Sequence, residues 1–323
     1  MTKIFISYRR DDSADVAGRI YDRLVAKFGK DAVFKDVDSI PFGVNFKKHL
    51  EGVVQQCAVE LVIIGKQWLD RVIASLEQWL AVGTTAAPET TKPKFMLPLL
   101  EWINIPAGSV TLEKDLGTYD VAPFAIAKYP VTNQQYQAFI DDGGYREDRW
   151  WQDLAGGKQT PTKPGWNTPN HPRENVNWYE AVAFSRWLAA KTELPITLPT
   201  EMQWQWAAIK DTGWAYPYGK TFEKTKSNTR ESGIEQTTPV DSYPQGVSPF
   251  GVMDMSGNVW EWTLSEYSNP ISNNLINNNV RVVRGGSWGD DRDLARAACR
   301  VYDVPGDRYY GIGFRVVCSV PLP

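Results

Sequence analysis

Nucleophiles and soft metal ligands are scarce in this 323-residue chain, which holds three cysteines and two histidines. Cys57, Cys299 and Cys318 lie far apart, a spacing that fits neither a disulfide framework nor, with so few imidazoles, a zinc ribbon. Cys318 stands in a final apolar run, where a buried, inert thiol is expected. The residues with more to offer are gathered between Gly289 and Gly311. This segment carries Tyr302, Tyr309 and Tyr310 among aspartates and glycines, and it contains no Lys, Glu, Gln, Met or Trp. Tyrosine gives rigid amphipathic area at low entropic cost, and Asp and Gly give adaptable polar contacts, which is the make-up of a binding surface. The aspartates favour a partner with basic or amide-rich groups. The five missing residue types are those that randomising the adenines of an asparagine codon cannot reach.

The elements that must hold this segment begin near Glu101. Trp102 to Val110 reads as a strand with a turn. Helices are predicted over 133–140, over 179–191 with Val182, Phe184, Trp187 and Leu188 near helical spacing, and over 202–209 with Thr200 as the cap. Few segments are long, so aromatic side chains are expected to pin irregular backbone; nearly all of the 14 tryptophans follow Trp68.

The first part of the chain reads differently. Lys3 to Tyr8 and Ala32 to Lys35 are predicted strands, and Val59 to Ile64 is an unbroken apolar run that suits a strand covered on both faces. Helices over 14–28, capped by Asp12-Ser13, and over 45–56 alternate with them, which implies a parallel α/β sheet. Thr84 to Pro93, small and proline-containing, reads as a linker or exposed loop.

Phe5-Ile6-Ser7-Tyr8-Arg9-Arg10-Asp11-Asp12-Ser13, Val33 to Gly43 and Leu61 to Leu69 together resemble bacterial TIR domains over residues 1–70. The resemblance implies a flavodoxin-like parallel sheet, here shortened, because only a helix over 71–82 and a strand over 95–100 precede the next domain. It also implies homotypic self-association. Some TIR domains cleave NAD with a helix glutamate, whose positional match is Glu77; the plainer reading of Glu77 is a solvated helix residue.

Later motifs carry a second resemblance. Leu198-Pro199-Thr200-Glu201-Met202-Gln203-Trp204, Asp254 to Trp262, Arg284-Gly285-Gly286-Ser287-Trp288 and Gly311 to Val316 stand in the order of the formylglycine-generating-enzyme (sulfatase-modifying factor) family. The family resemblance implies an α+β C-type lectin fold. It also implies two copper-binding cysteines shortly after the Gly-Gly-Ser motif, but Gly289 to Arg296 contains no cysteine, so no copper and no formylglycine-generating activity are expected. By position the resemblance further implies a structural calcium held by the Asp254 and Glu261 carboxylates and the Gly257 and Val259 carbonyls.

The composition of 289–311, followed by Ile312-Gly313-Phe314-Arg315-Val316-Val317, resembles the variable region of a diversity-generating retroelement variable protein. The implied variable positions are Gly289, Asp290, Asp291, Asp293, Leu294, Cys299, Val301, Tyr302, Asp303, Val304, Gly306, Asp307, Tyr309, Tyr310 and Gly311. The implied scaffold residues are Arg296, Ala297, Ala298, Arg300, Pro305 and Arg308.

The expected organisation is a TIR-like domain at 1–83, or extending to 100, then a linker or last strand at 84–100, then a lectin-like domain at 101–323. The expected function is non-catalytic binding of a protein or small-molecule ligand, with a TIR-like module for signalling or self-association. The alternative is a TIR NAD hydrolase effector regulated by the lectin-like domain. A net charge of −3 and a pI of about 5.6 give no footprint for nucleic acid or anionic lipid. The absence of a leader-like start and of a long apolar stretch points to no membrane and a cytoplasmic location.

Overall fold

The computed structural model describes residues 100–322, the backbone of strands at 4–8, 33–35 and 59–63, and single positions 21, 25 and 30. The chain divides into two units, Met1–Lys92 and Pro93–Pro323. In the first, β1 (Ile4–Tyr8) lies between β2 (Val33–Lys35) and β3 (Val59–Ile63), paired parallel to both. Parallel neighbours joined by long connections are what the alternating pattern predicts. The remaining expectations for this unit, including Glu77, fall outside the described residues.

The second unit contains two four-stranded sheets and a hairpin. The strands β4 (Trp102–Ile105), β7 (Phe124–Ala127), β13 (Val317–Cys318) and β8 (Ile196–Thr197) form one antiparallel sheet in that order. It joins the start of the domain to its end. β5 (Gly108–Leu112) and β6 (Gly117–Val121) make the hairpin. The other sheet has the order β11 (Arg300–Asp303), β10 (Arg281–Arg284), β9 (Trp260–Glu266), β12 (Ile312–Gly313).

Three helices pack on these sheets: α1 (Asn133–Asp141), α2 (Trp178–Thr192) and α3 (Glu201–Ile209). Each starts within one residue of the sequence expectation, and each opens on a capping box. The pairs Thr132 with Gln135, Asn177 with Glu180 and Thr200 with Gln203 exchange side-chain and backbone hydrogen bonds, which satisfies amides that have no partner within the helix.

Aromatic residues pin the irregular remainder. Trp178, Trp187, Trp204 and Trp262 are fully buried, each removing roughly 150–250 Å² from water. Every one of these indoles donates to an acceptor: Trp178 to the Thr263 carbonyl at 2.8 Å, Trp187 to Asp142 at 2.8 Å, Trp204 to Glu261 at 2.7 Å and Trp262 to the Val176 carbonyl at 3.0 Å. Tyr136, Phe139, Phe184, Trp187 and Phe314 form a continuous ring cluster beneath α1 and α2. No helix among the described residues is long and apolar enough to cross a membrane.

A candidate ligand-binding surface

Residues 289–311 leave the sheet at the end of β10 and return to it at β12. Their only regular piece is β11, an edge strand whose Arg300 pairs with Arg284 and whose Tyr302 pairs with Val282. Departure from β10 depends on Gly286, which has φ +74 and brings the chain so near Ala295 that a Cβ would lie 2.9 Å from its Cα. A larger residue fits neither that backbone conformation nor that space.

The segment is held by charges that reach into the core. Arg300 gives Nε and Nη2 to the two oxygens of Glu201 at 2.7 and 2.9 Å. Arg284 reaches the same carboxylate at 3.0 Å and also donates to the carbonyls of Ala297 and Ala298 at 2.6 and 3.2 Å. Glu201 and Arg284 are fully buried. Arg308 donates to Glu180 at 2.8 Å, and that carboxylate also accepts from Tyr145 at 2.6 Å and from the Asn177 amide at 2.8 Å. Pro305 is buried, and its carbonyl takes the Trp178 amide at 3.0 Å. Arg296 makes a surface pair with Glu113 at 2.8 Å.

Between these anchors many side chains turn outward. None of the implied variable positions is buried, whereas Ala297, Arg300 and Pro305 are. Tyr302, Val304, Tyr309 and Tyr310 are about half exposed, at 54, 46, 51 and 57%, and account for half of the exposed large hydrophobics among the described residues. A Cβ on Gly306 would meet nothing within 4 Å, and one on Gly289 only the Ser287 hydroxyl at 3.9 Å. Gly289 also rims a cleft of about 410 Å³ lined with Arg230, Glu235 and Trp288.

Two of the implied variable positions are committed to the scaffold. The Asp290 carboxylate accepts from the Trp260 indole at 2.7 Å, the Ser287 amide at 3.0 Å and the Ser287 hydroxyl at 2.5 Å. Gly311 has the Ser287 hydroxyl and Cβ at 3.0 and 3.1 Å from where its own Cβ would stand. Asp291 is intermediate: its oxygen accepts the amides of Asp293 and Leu294 at 3.0 and 3.3 Å, while Leu294, Cys299 and Val301 rest partly buried on the core.

Burial pushes the Cys299 thiol up, Cys318 is fully buried, and both are free. His171 is buried with its Nδ1 hydrogen-bonded to Thr237 at 2.8 Å, and burial lowers its pKa. Cys57 and His49 lie outside the described residues. Among the described residues no group of three or more His, Cys, Asp or Glu is placed to hold a metal.

At the implied calcium loop, Glu261 accepts Arg315 through both oxygens at 2.6 Å and the Trp204 indole at 2.7 Å. A carboxylate has about four lone-pair positions, so roughly one, on Oε1, is left. Asp254 is buried and accepts the Asn258 amide at 3.0 Å. Its carboxyl is pushed up to about 7, chiefly by burial, with the Glu261 and Asp241 charges adding to the rise. The Gly257 carbonyl already takes the Val259 amide at 3.0 Å.

The model of the sulfatase-modifying factor enzyme 1-like domain matches residues 87–320. The chain belongs to that family. Hercynine oxygenase of Mycolicibacterium thermoresistibile is 32% identical over 244 residues, which are 64% of this chain and 53% of that protein. The chain thus spans about half the length of that curated relative. A mouse (Mus musculus) protein named inactive C-alpha-formylglycine-generating enzyme 2 is 28% identical over 251 residues, 63% of this chain and 77% of its own. Treponema denticola variable protein 1 superposes with a TM-score of 0.55 at 22% identity, over 68% of this chain and 94% of its own, a likeness of fold. The sulfatase-modifying-factor domain of this chain therefore has the architecture its motifs imply. Sequence reading missed Glu174 and Glu180, whose roles depend on partners more than a hundred positions away or on loop amides that no local pattern marks.

Proposed function

We propose that the sulfatase-modifying-factor domain is a non-catalytic binding domain that displays residues 289–311 as a diversified surface, in the manner of a diversity-generating retroelement variable protein. The observation that carries this reading is the division of labour along the segment. Asp293, Tyr302, Val304, Gly306, Asp307, Tyr309 and Tyr310 are exposed, while Arg300, Pro305 and Arg308 tie the backbone to the core. The absence of a paired-thiol site in the described domain and the kinship with a protein named inactive support the non-catalytic part. The ligand is a protein or small molecule with basic or amide-rich groups, and the TIR-like module adds signalling or self-association in the cytoplasm. Sequencing the locus across isolates tests the reading. Differences should concentrate at the outward positions of 289–311 and spare Arg300, Pro305 and Arg308. Differences scattered evenly over the chain would overturn it.

The loop from Asp254 to Glu261 is proposed to hold a structural calcium through the Asp254 carboxylate, the remaining Glu261 lone pair and the Gly257 and Val259 carbonyls. Support comes from Asp254, a buried carboxyl raised to about 7 beside other carboxylates, a situation a cation relieves. Calcium at about a hundred times its Kd should stabilise the protein by about 2.7 kcal/mol. A chelator should reverse the gain and Asp254→Asn should abolish it, both read by thermal melting. A melting temperature indifferent to calcium and chelator rules the site out.

A further inference from the structure

Three of the buried polar atoms that lack a protein partner belong to residues around the 162–175 loop: Asn133 Oδ1, Arg173 Nε and Glu174 Oε2. Glu174 is the acid among them. It is fully buried, and its Oε1 accepts the amides of Gly165 at 2.5 Å and Trp166 at 3.3 Å, while Oε2 meets no donor. Burial pushes this carboxyl up to about 7 in spite of those amides and the nearby Arg173 charge. Arg173 is engaged elsewhere, its guanidinium lying 4.8 Å from the Tyr136 ring centre and donating to the Thr162 carbonyl. An unanswered carboxylate oxygen in the interior is costly unless a donor reaches it in some state of the protein.

What lies outside it is aromatic. A Cβ on Gly165 would stand 2.9 Å from the Tyr310 ring and 3.5 Å from Glu174 Oε1, so ring and carboxylate flank the same α-carbon. Trp166 meets Trp288 at 5.1 Å between ring centres and 82° between planes, and meets Tyr310 at 6.2 Å and 71°. The two indoles form a corner, with Tyr310 beside it. The Tyr310 carbonyl accepts the Trp288 indole at 3.2 Å, which ties the backbone there, while the residue as a whole is 57% exposed.

We propose that Glu174 anchors a primary-ammonium site concealed behind Tyr310, which takes a lysine side chain of a protein partner when that ring swings aside. The inference rests on the reading of 289–311 as a binding surface and names the chemistry of its partner. Because Oε1 is spent on two backbone amides, the carboxylate offers no two-oxygen edge to a guanidinium fork. A corner at 82° cannot sandwich a flat cation either. A compact ammonium brings three N–H donors, one of which can satisfy Oε2 while the indole faces attract its charge. Position 310 lies within the segment, so its residue sets whether the anchor is covered: tyrosine closes it, and glycine or alanine leaves it open.

The test uses the full chain and its Tyr310→Ala and Tyr310→Ala/Glu174→Gln variants, titrated above neutral pH and followed by the indole N–H resonances of Trp166 and Trp288. The probes are Nα-acetyl-lysine methylamide and its Nε-acetyl and Nε-trimethyl forms. Uncovering the anchor should tighten binding of the lysine probe by roughly tenfold over the parent, as expected when a closed state limits access. Glu174→Gln, which keeps the Oε1 acceptor for the loop amides, should cost about tenfold or more, the worth of one charge-assisted hydrogen bond. The acetylated probe should not bind, and the trimethylated one, which has no N–H, should bind more weakly than lysine. Equal binding of lysine and trimethyl-lysine would assign recognition to the indole corner and overturn the role of Glu174. So would a Tyr310→Ala protein that ignores the lysine probe. The probe comparison on Tyr310→Ala decides the matter even should Glu174→Gln fail to fold. Differences between isolates scattered evenly over the chain would sink the diversified reading and leave this result standing.

Discussion

Replacing Glu201 with glutamine should destabilise the domain by about 3–5 kcal/mol, the usual cost of leaving a buried charge without its partner. The carboxylate is the common acceptor of Arg284 and Arg300, at 2.7 to 3.0 Å, and none of the three side chains has meaningful contact with water. Burial already depresses the Arg284 pKa, with the Glu201 charge opposing that fall, so removing the charge leaves two guanidiniums facing each other in the interior. For a domain of this size the loss corresponds to a drop of roughly 10 °C in melting temperature. Because Arg284 also holds the Ala297 and Ala298 carbonyls, the segment following β10 should loosen with it. Urea unfolding of Glu201→Gln, Arg300→Gln and the double variant measures the coupling, expected at about 0.5–3 kcal/mol. A Glu201→Gln protein as stable as the parent would mean that the segment is held by something other than this triad.

The second large effect is a contrast within the segment. Simultaneous replacement of Asp293, Val304, Gly306, Asp307 and Tyr309 by serine should leave the stability within about 1 kcal/mol of the parent, as for surface positions away from special features. Capture of any ligand of the parent should be lost. Asp290→Ala alone should cost about 1–3 kcal/mol, because the Trp260 indole and the Ser287 amide and hydroxyl lose their acceptor. Gly311→Tyr should be comparably costly through overpacking against Ser287. Thermal melts of the three proteins decide it. An Asp290→Ala protein with the parent's stability would return that position to the free set, and a five-site variant that unfolds would show that the outward side chains hold the fold.

Local chemistry made much of the scaffold legible beforehand. Thr132, Asn177 and Thr200 each stand three residues before a Gln or Glu, so the starts of α1, α2 and α3 could be read within one residue. The exposure of Tyr302, Gly306, Asp307, Tyr309 and Tyr310 agrees with the Tyr-, Asp- and Gly-rich composition of 289–311. Long-range pairing was not. Asp290 looks like any loop aspartate until Trp260 is seen to reach it from thirty positions away. Gly311 looks as free as Gly306 until Ser287 is seen beside it. Glu174 carries no local mark at all, because its partners are two loop amides and its missing partner is an absence. At the N-terminus the three strands match the apolar runs that announced them.

Arg300 and Arg308 are the segment's two deep tethers, and both end on carboxylates in the first turn of a helix: Glu201 of α3 and Glu180 of α2. The backbone between them is therefore tied to helices at both ends. Flexible loops lose conformational freedom when they bind, and that loss differs with every loop sequence. If the segment binds as proposed, two tethered ends would shift the loss toward side-chain rotamers, about 0.5–1.5 kcal/mol for each one immobilised, and tyrosine with two torsions stands at the low end. Copies that differ at the outward positions would share nearly the same entropic handicap, so their affinities would rank by what their side chains touch.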